Sequence, residues 1–261
     1  ANINTVVIEN GVTAIGNWAF YGCKMTTVEV PESVTAIGER AFQSCPITSI
    51  VLHEGLLTIG GMAFMSCTKL AEITIPHSVT TIGTWLFYYN EALTTVTLGN
   101  GITETSESTF DGCTKLTSVT FGTGLTTIGK STFRTCSALT GIQIPQTVTS
   151  IGSTAFQYSG LTGIVIPEGV ASIGTSAFHQ CRSLASVTVP ASLSTIEEYA
   201  FSQCSGLTEF INHRAMPQSI NSDVFNEASI GTATLKVPAG AVAAYSSASV
   251  WSGFGTKTAI E

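Results

Sequence analysis

Charge is scarce in this chain. Asp, Glu, Lys and Arg together make up 10% of its 261 residues, where roughly 25% is ordinary for a globular protein. Basic residues are the rarer kind, 10 Lys and Arg against 17 Asp and Glu, for a formal net charge of −7. That excludes the clustered positive charge that a nucleic-acid footprint needs. No apolar run approaches the ~18 residues of a membrane-spanning helix, so no membrane insertion is expected. Only 4 histidines are present, and neither H-E-x-x-H nor G-x-S-x-G occurs, so no familiar hydrolase arrangement is assembled. The cysteines number 7, an odd count that forbids complete internal pairing. Ala1 is not a start methionine and no charged-then-apolar leader precedes it, so a targeting segment is expected to have been removed or to lie outside this sequence.

What the chain has instead is hydroxyl and hydrocarbon. Apolar residues make up 44%, and 39 Thr with 28 Ser supply the uncharged polarity. Disorder is excluded, because disordered chains combine few apolar residues with many charges. The apolar residues recur. Nine units start at Val12, Val34, Leu56, Val79, Ile102, Leu125, Val148, Val170 and Leu193, in steps of 22 or 23 residues. The pattern is V-T-x-I-G-x-x-A-F-x-x-C-x-x-L-T-x-I-x-I-P. Each unit carries Phe at one position: Phe20, Phe42, Phe64, Phe87, Phe110, Phe133, Phe156, Phe178 and Phe201. A fixed period of this length signals a stacked-repeat architecture. The L-x-x-I-x-I segment ends in the period-2 alternation of a half-buried strand, and the following Pro or Gly ends it. V-T-x-I gives a second short extended piece, whose Gly is expected to let the backbone turn. One unit cannot bury its own Phe, Cys and aliphatics, whereas stacked units cover one another. The expected fold is an α/β-type repeat solenoid with residues 12–211 as nine coils, 1–11 as a lead-in strand and 212–261 as a C-terminal cap with a strand and short helix.

The cysteines Cys23, Cys45, Cys67, Cys113, Cys136, Cys181 and Cys204 each stand three residues after the repeat Phe. They are expected to be small buried apolar residues. No C-x-x-C pair supplies a tetrahedral metal site, and no metal or other cofactor is expected. Gly124 to Ser131 matches the phosphate-loop pattern G-x-x-x-x-G-K-[ST] letter for letter. Gly11 to Gly16, Gly55 to Gly60 and Gly169 to Gly174 keep the glycine spacing without Lys, so the repeat itself generates the match. Stacking also brings Glu32, Glu54 and His77 into one rim column beside His53, a weak candidate for a cation.

Two faces are candidates for binding. Outward positions of the main strand form a column of small hydroxyls with acidic members, of which Glu29, Glu72, Thr74, Thr95, Thr97, Ser118, Thr120 and Gln143 are the candidate contacts. Low side-chain entropy and many hydrogen-bonding groups suit a broad protein or glycan partner, although Thr also favours strands for its own sake. The fourth unit replaces the usual small residues with Trp85, Tyr88 and Tyr89, a candidate aromatic patch on the opposite side, where Trp18, Tyr21, Met62 and Met65 share its slots.

The units resemble the BspA-like (Treponema-type) leucine-rich repeats of bacterial surface proteins, with their I-P-x-S-V-T-x-I-G-x-x-A-F-x-x-C-x-x-L pattern, over residues of about 12 to 211. Leu235-Lys-Val-Pro-Ala-Gly through Tyr245, followed by Trp251 and Phe254, resembles the closing segment of Bacteroidetes members. The resemblance implies a right-handed curved solenoid with a parallel sheet on the concave face and β, 3-10 or irregular structure on the convex side. It also implies a non-catalytic recognition or adhesion module, secreted or at the cell surface, as a monomer. A structural or self-associating spacer is the alternative.

Overall fold

The computed structural model describes residues 4–260. Each repeat is one coil of a solenoid of about 11 turns built from stacked parallel strands. V-T-x-I supplies a two-residue strand, as at Ala14–Ile15, Ala36–Ile37, Thr58–Ile59 and Thr81–Ile82. L-x-x-I-x-I supplies a longer one, as at Ser49–Val51, Glu72–Thr74, Thr95–Thr97 and Ser118–Thr120. Like pairs with like: Ile15 lies opposite Ile37, and Thr95, Val96 and Thr97 lie opposite Ser118, Val119 and Thr120.

The phenylalanines form a single file. From Phe20 to Phe201, successive ring centroids are 5.1–5.6 Å apart with interplanar angles of 0–20°. This is a little above the ~4.8 Å between hydrogen-bonded strands, as suits rings stacked with an offset. Beside the rings, six of the seven buried thiols donate to a carbonyl of the preceding coil, among them Cys67 Sγ to Phe42 O, Cys113 to Phe87 O, Cys136 to Phe110 O and Cys204 to Phe178 O, at 3.2–3.3 Å. All seven cysteines are buried and unpaired.

The repeat glycine does not do what its sequence position suggests. Neither Gly60 nor Gly83 has a positive φ; a Cβ on Gly83 would stand 2.2 Å from Gly61 N, and one on Gly60 2.5 Å from Glu39 N. The residue is needed because adjacent coils touch there, not because the chain turns. The turning falls to two slots, two residues before and two after each Phe, which hold residues other than glycine everywhere but at Gly22 and Gly112. Trp18, Arg40, Met62, Trp85, Ser108, Ser131, Thr154, Ser176 and Tyr199 have φ of 54–61°, and the second slot, from Gly22 to Gln203, has φ of 56–79°. This left-handed alternation sends every other N–H to the next coil (Trp18 N to Glu39 O, Phe20 N to Ala41 O, Gly22 N to Gln43 O, 2.8–2.9 Å) and the intervening ones three residues back. A third inter-coil ladder results, without regular strand geometry.

Three departures bear on the sites. The longer strands form separate ladders: Thr27–Glu29 with Ser49–Val51, then Glu72–Thr74 through Ser118–Thr120, then Gly163–Val165 onward. The first seam falls where the coil lengthens, Cys45-Pro-Ile47 giving way to Cys67-Thr-Lys-Leu70. The other surrounds coil six, where Gly141 to Gln143 forms no strand. Residues 4–11 likewise form no strand; Val6 and Ile8 simply pack against the first coil, and residues 1–3 of the expected lead-in lie outside the described residues. The C-terminal segment carries the Thr234–Val237 strand and the Val242–Ser247 helix, but it is no separate module. Phe225 stacks on Phe201 at 5.6 Å, and Leu235 pairs with Phe210 in register.

Candidate functional site

Three sequence candidates resolve into scaffold. The phosphate-loop match contains the two-residue strand Thr127–Ile128 followed by turns rather than a helix. Its Lys130 pairs with Glu107 at 2.9 Å, and Ser131 Oγ bonds Thr154 Oγ1 at 2.7 Å. The rim column works as a series of caps. Glu54 accepts from the backbone N–H groups of His77 and Ser78, His77 Nδ1 from Asn100 N, and Asn100 Oδ1 from Thr123 N, each at 2.9–3.1 Å. The His77 N–H is the main reason that the Glu54 carboxyl is held below its usual range. Among the described residues no group of three or more His, Cys, Asp and Glu side chains is arranged for a metal. Burial raises the thiols of Cys45, Cys67, Cys113, Cys136, Cys181 and Cys204, those of Cys45 and Cys181 to about 11, which suppresses the thiolate that redox or nucleophilic chemistry requires.

The hydroxyls divide into two populations. Thr one position before the longer strand is structural: Thr48 Oγ1 donates to Thr26 O, Thr94 to Ala71 O and Thr117 to Thr94 O, at 3.0–3.2 Å. The outward hydroxyls of Thr74, Thr95, Thr97, Ser118 and Thr120 make no hydrogen bond within the described protein. These groups are available to a partner. At the seam between the first two ladders the face opens into a groove of about 420 Å³, lined by Ser49, Val51, Leu52, Glu72, Thr74, Thr95 and Thr97 over a floor of Ile50 and Ile73. Val51 stands 55% exposed on its wall. Ser118 and Thr120 continue the face in register beside Thr95 and Thr97. Glu29 belongs instead to a separate hollow near the N-terminal edge with Val6, Ile8 and His53, and Gln143 is exposed on the strandless coil six. The structure therefore unites six of the eight candidate contacts and separates two. Val51 is the contributor that hydroxyl counting passes over; its signal is an apolar residue at an outward strand position.

The aromatic patch sits on the turn face, where the left-handed slots throw their side chains outward. Trp85 and Tyr89 both occupy such slots, with φ of 56°. Tyr88 and Tyr89 meet edge to face at 4.4 Å, and Trp18 meets Tyr21 at 5.2 Å. Arg40 Cζ lies 4.4 Å above the Trp18 ring, a cation–π distance. Trp85 and Tyr88 divide two hollows. One, about 380 Å³, is lined by Arg40, Gln43, Met62 and Met65; the other, about 340 Å³, is lined by polar groups including Glu107, Asp111, Lys130 and Arg134. Asp111 and Arg134 pair at 3.4 Å, and burial raises the Asp111 carboxyl against the pull of that guanidinium.

Comparison with known proteins follows the same lines. A sequence model described as BspA type Leucine rich repeat region matches in 6 copies, over residues 1–117, 35–162 and 126–242. No curated protein matches the chain. A leucine-rich repeat protein from Bacteroides ovatus is 23% identical, with a TM-score of 0.69 over 100% of this chain and 80% of that one. The pneumococcal vaccine antigen PcpA is 19% identical, with a TM-score of 0.61 over 100% and 74%. A leucine rich cell surface protein from Faecalibacterium prausnitzii is 26% identical, with a TM-score of 0.57 over 100% and 88%.

Proposed function

The chain belongs to the BspA-type leucine-rich repeat family, and from that premise we propose that it is a non-catalytic recognition module, secreted or displayed at a cell surface, that holds a protein or glycan partner on its longer-strand face. The observation that carries this reading is the contrast between hydroxyls spent on the scaffold and hydroxyls left free along the longer-strand face, four of which line the groove at the ladder seam. Rigid parallel coils hold these donors and acceptors in a fixed array, so a partner meets little entropic penalty for ordering them. Two structural relatives carry names that speak of a cell-surface protein and a vaccine antigen. No helix among the described residues is long and apolar enough to cross a membrane.

The test uses the combined variant Thr95→Glu, Thr97→Lys, Ser118→Glu and Thr120→Lys, immobilised beside wild type and exposed to matrix proteins and a glycan array. Capture that wild type shows and the variant loses, at an unchanged melting midpoint, supports the strand-face reading. Equal capture by both assigns binding elsewhere, and no capture by either favours a structural spacer.

A further inference from the structure

Gln43 is the anomaly on the turn face. Its side chain is only 9% exposed. The amide nitrogen donates to Met65 Sδ at 3.4 Å, while Oε1 is buried with no hydrogen-bond partner. A buried carbonyl oxygen left unsatisfied is costly, and Gln43 lines the hollow of about 380 Å³ shared with Arg40, Met62, Met65, Trp85 and Tyr88. That volume lies within the range of small-ligand pockets. At the rim, Arg40 Nε stands 3.2 Å from a Glu39 carboxylate oxygen yet is not directed at it, and makes no hydrogen bond. The residues around the hollow thus bring an acceptor without a donor just beneath its surface, a donor without an acceptor, two pliant thioethers and two aromatic walls.

We propose that this hollow binds a 2-acetamido sugar, a hexose whose ring carries an N-acetylamino group. The acetamido N–H supplies the donor that Gln43 Oε1 lacks, and its carbonyl accepts from the Arg40 guanidinium. Its methyl sits against Met62 and Met65, and the C–H face of the ring lies on Trp85. Simpler ligands each leave something unmet. A plain hexose places hydroxyls against the thioethers. A hydrocarbon leaves Gln43 Oε1 orphaned, and a free carboxylate suits Arg40 but opposes the Gln43 oxygen. Beyond the Trp85–Tyr88 ridge, the polar hollow with the Asp111–Arg134 and Lys130–Glu107 pairs offers donors and acceptors to the hydroxyls of a neighbouring ring. A short oligosaccharide astride the ridge uses both.

Tryptophan fluorescence and calorimetric titration of the full chain test the proposal, with N,N′-diacetylchitobiose and an N-acetylgalactosamine glycoside as probes. Cellobiose, the match of the first without acetamido groups, and N-acetylmethionine methylamide, a peptide-like amide, are the controls. The expected result is saturable binding of at least one acetamido sugar, with cellobiose and the amide at least about tenfold weaker, a loss of ~1.4 kcal/mol. Gln43→Leu and Trp85→Ala should each weaken binding by about tenfold or more at an unchanged melting midpoint. Trp85 is solvent-facing, so its variant remains decisive if Gln43→Leu folds poorly. The strand-face quadruple variant should bind the sugar as wild type does, which separates this site from the strand-face reading. Binding of neither sugar, equal binding of cellobiose, preference for the methionine amide, or indifference to Trp85→Ala overturns it.

Discussion

Phe133 lies between Phe110 and Phe156, with ring centroids 5.5 and 5.3 Å away, and is fully buried. Truncating it to Ala leaves a hole that rigid neighbours cannot fill, for a loss of about 3–5 kcal/mol that urea unfolding should read as a lower midpoint. The thiols beside the rings should be silent in the folded protein: a disulfide reagent is expected to find none at native conditions and all 7 once the chain is unfolded. Both results are legible in the sequence, since a Phe and a Cys every 22 or 23 residues belong in columns. What the sequence does not reveal is that every thiol after Cys23 has an acceptor in the preceding coil, because the partner is a backbone carbonyl and carries no residue signature. Glu54 makes the same point on the rim. It sits in a column of acidic and imidazole side chains that suggests a cation, yet its oxygens cap the His77 and Ser78 amides. Its carboxyl is held low in the folded state, so its contribution is present above the unfolded pKa and lost as pH falls through the folded one. Glu54→Gln should therefore narrow the stability difference between about pH 7 and about pH 2.5, measured by urea midpoints at each pH.

At the scale of the element, the turn around each Phe is where sequence and structure diverge. Glycine in I-G is the obvious turning residue, yet its duty is clearance between coils. Gly83→Ala is expected to push a methyl group into Gly61 backbone and to cost about 1–3 kcal/mol as an overpacked contact, read by thermal unfolding. The true left-handed slots hold mostly Trp, Arg, Met, Ser, Thr, Tyr and Gln, with glycine only at Gly22 and Gly112, too seldom for the Gly or Asn preference of such backbone to locate them. Coil five shows what happens when the pattern lapses. Thr105 replaces the buried Ile and Ser106 the Gly, and the short-strand ladder stops there. Thr105 Oγ1 meets Thr132 Oγ1 and the Gly129 N–H, both at 2.8 Å, so the buried hydroxyl is satisfied. The seam that opens the groove was not legible: the one-residue lengthening found there recurs between Ser159-Gly-Leu161 and Cys181-Arg-Ser-Leu184, where the strands pair without a break. Phe225 was legible, because Ile220 precedes it by the same five positions that separate Ile and Phe in the coils.

For the whole molecule, the periodic sequence predicts the stack and its inner hydroxyl face, while the binding hollows depend on the exceptions to the period. The groove requires an interrupted ladder, and the acetamido pocket requires Gln43 and Arg40 in slots that other coils fill differently. Consensus positions are therefore expected to report on stability, and the irregular ones on the proposed recognition. An array stabilised by contacts between neighbouring coils also has consequences for its own ancestry. Excising residues 171–193 joins Val170 to Ser194 and brings Phe156 against Phe201, Ser159 against Cys204, and the Gly163–Val165 strand against Glu209, like beside like. Such a shortened chain is expected to fold, with calorimetry showing one cooperative transition, whereas cutting at a fraction of the period should not. Unequal crossing-over between similar gene segments can thus lengthen or shorten the rod while leaving the two sites near its N-terminal half untouched, so reach and recognition are free to evolve separately.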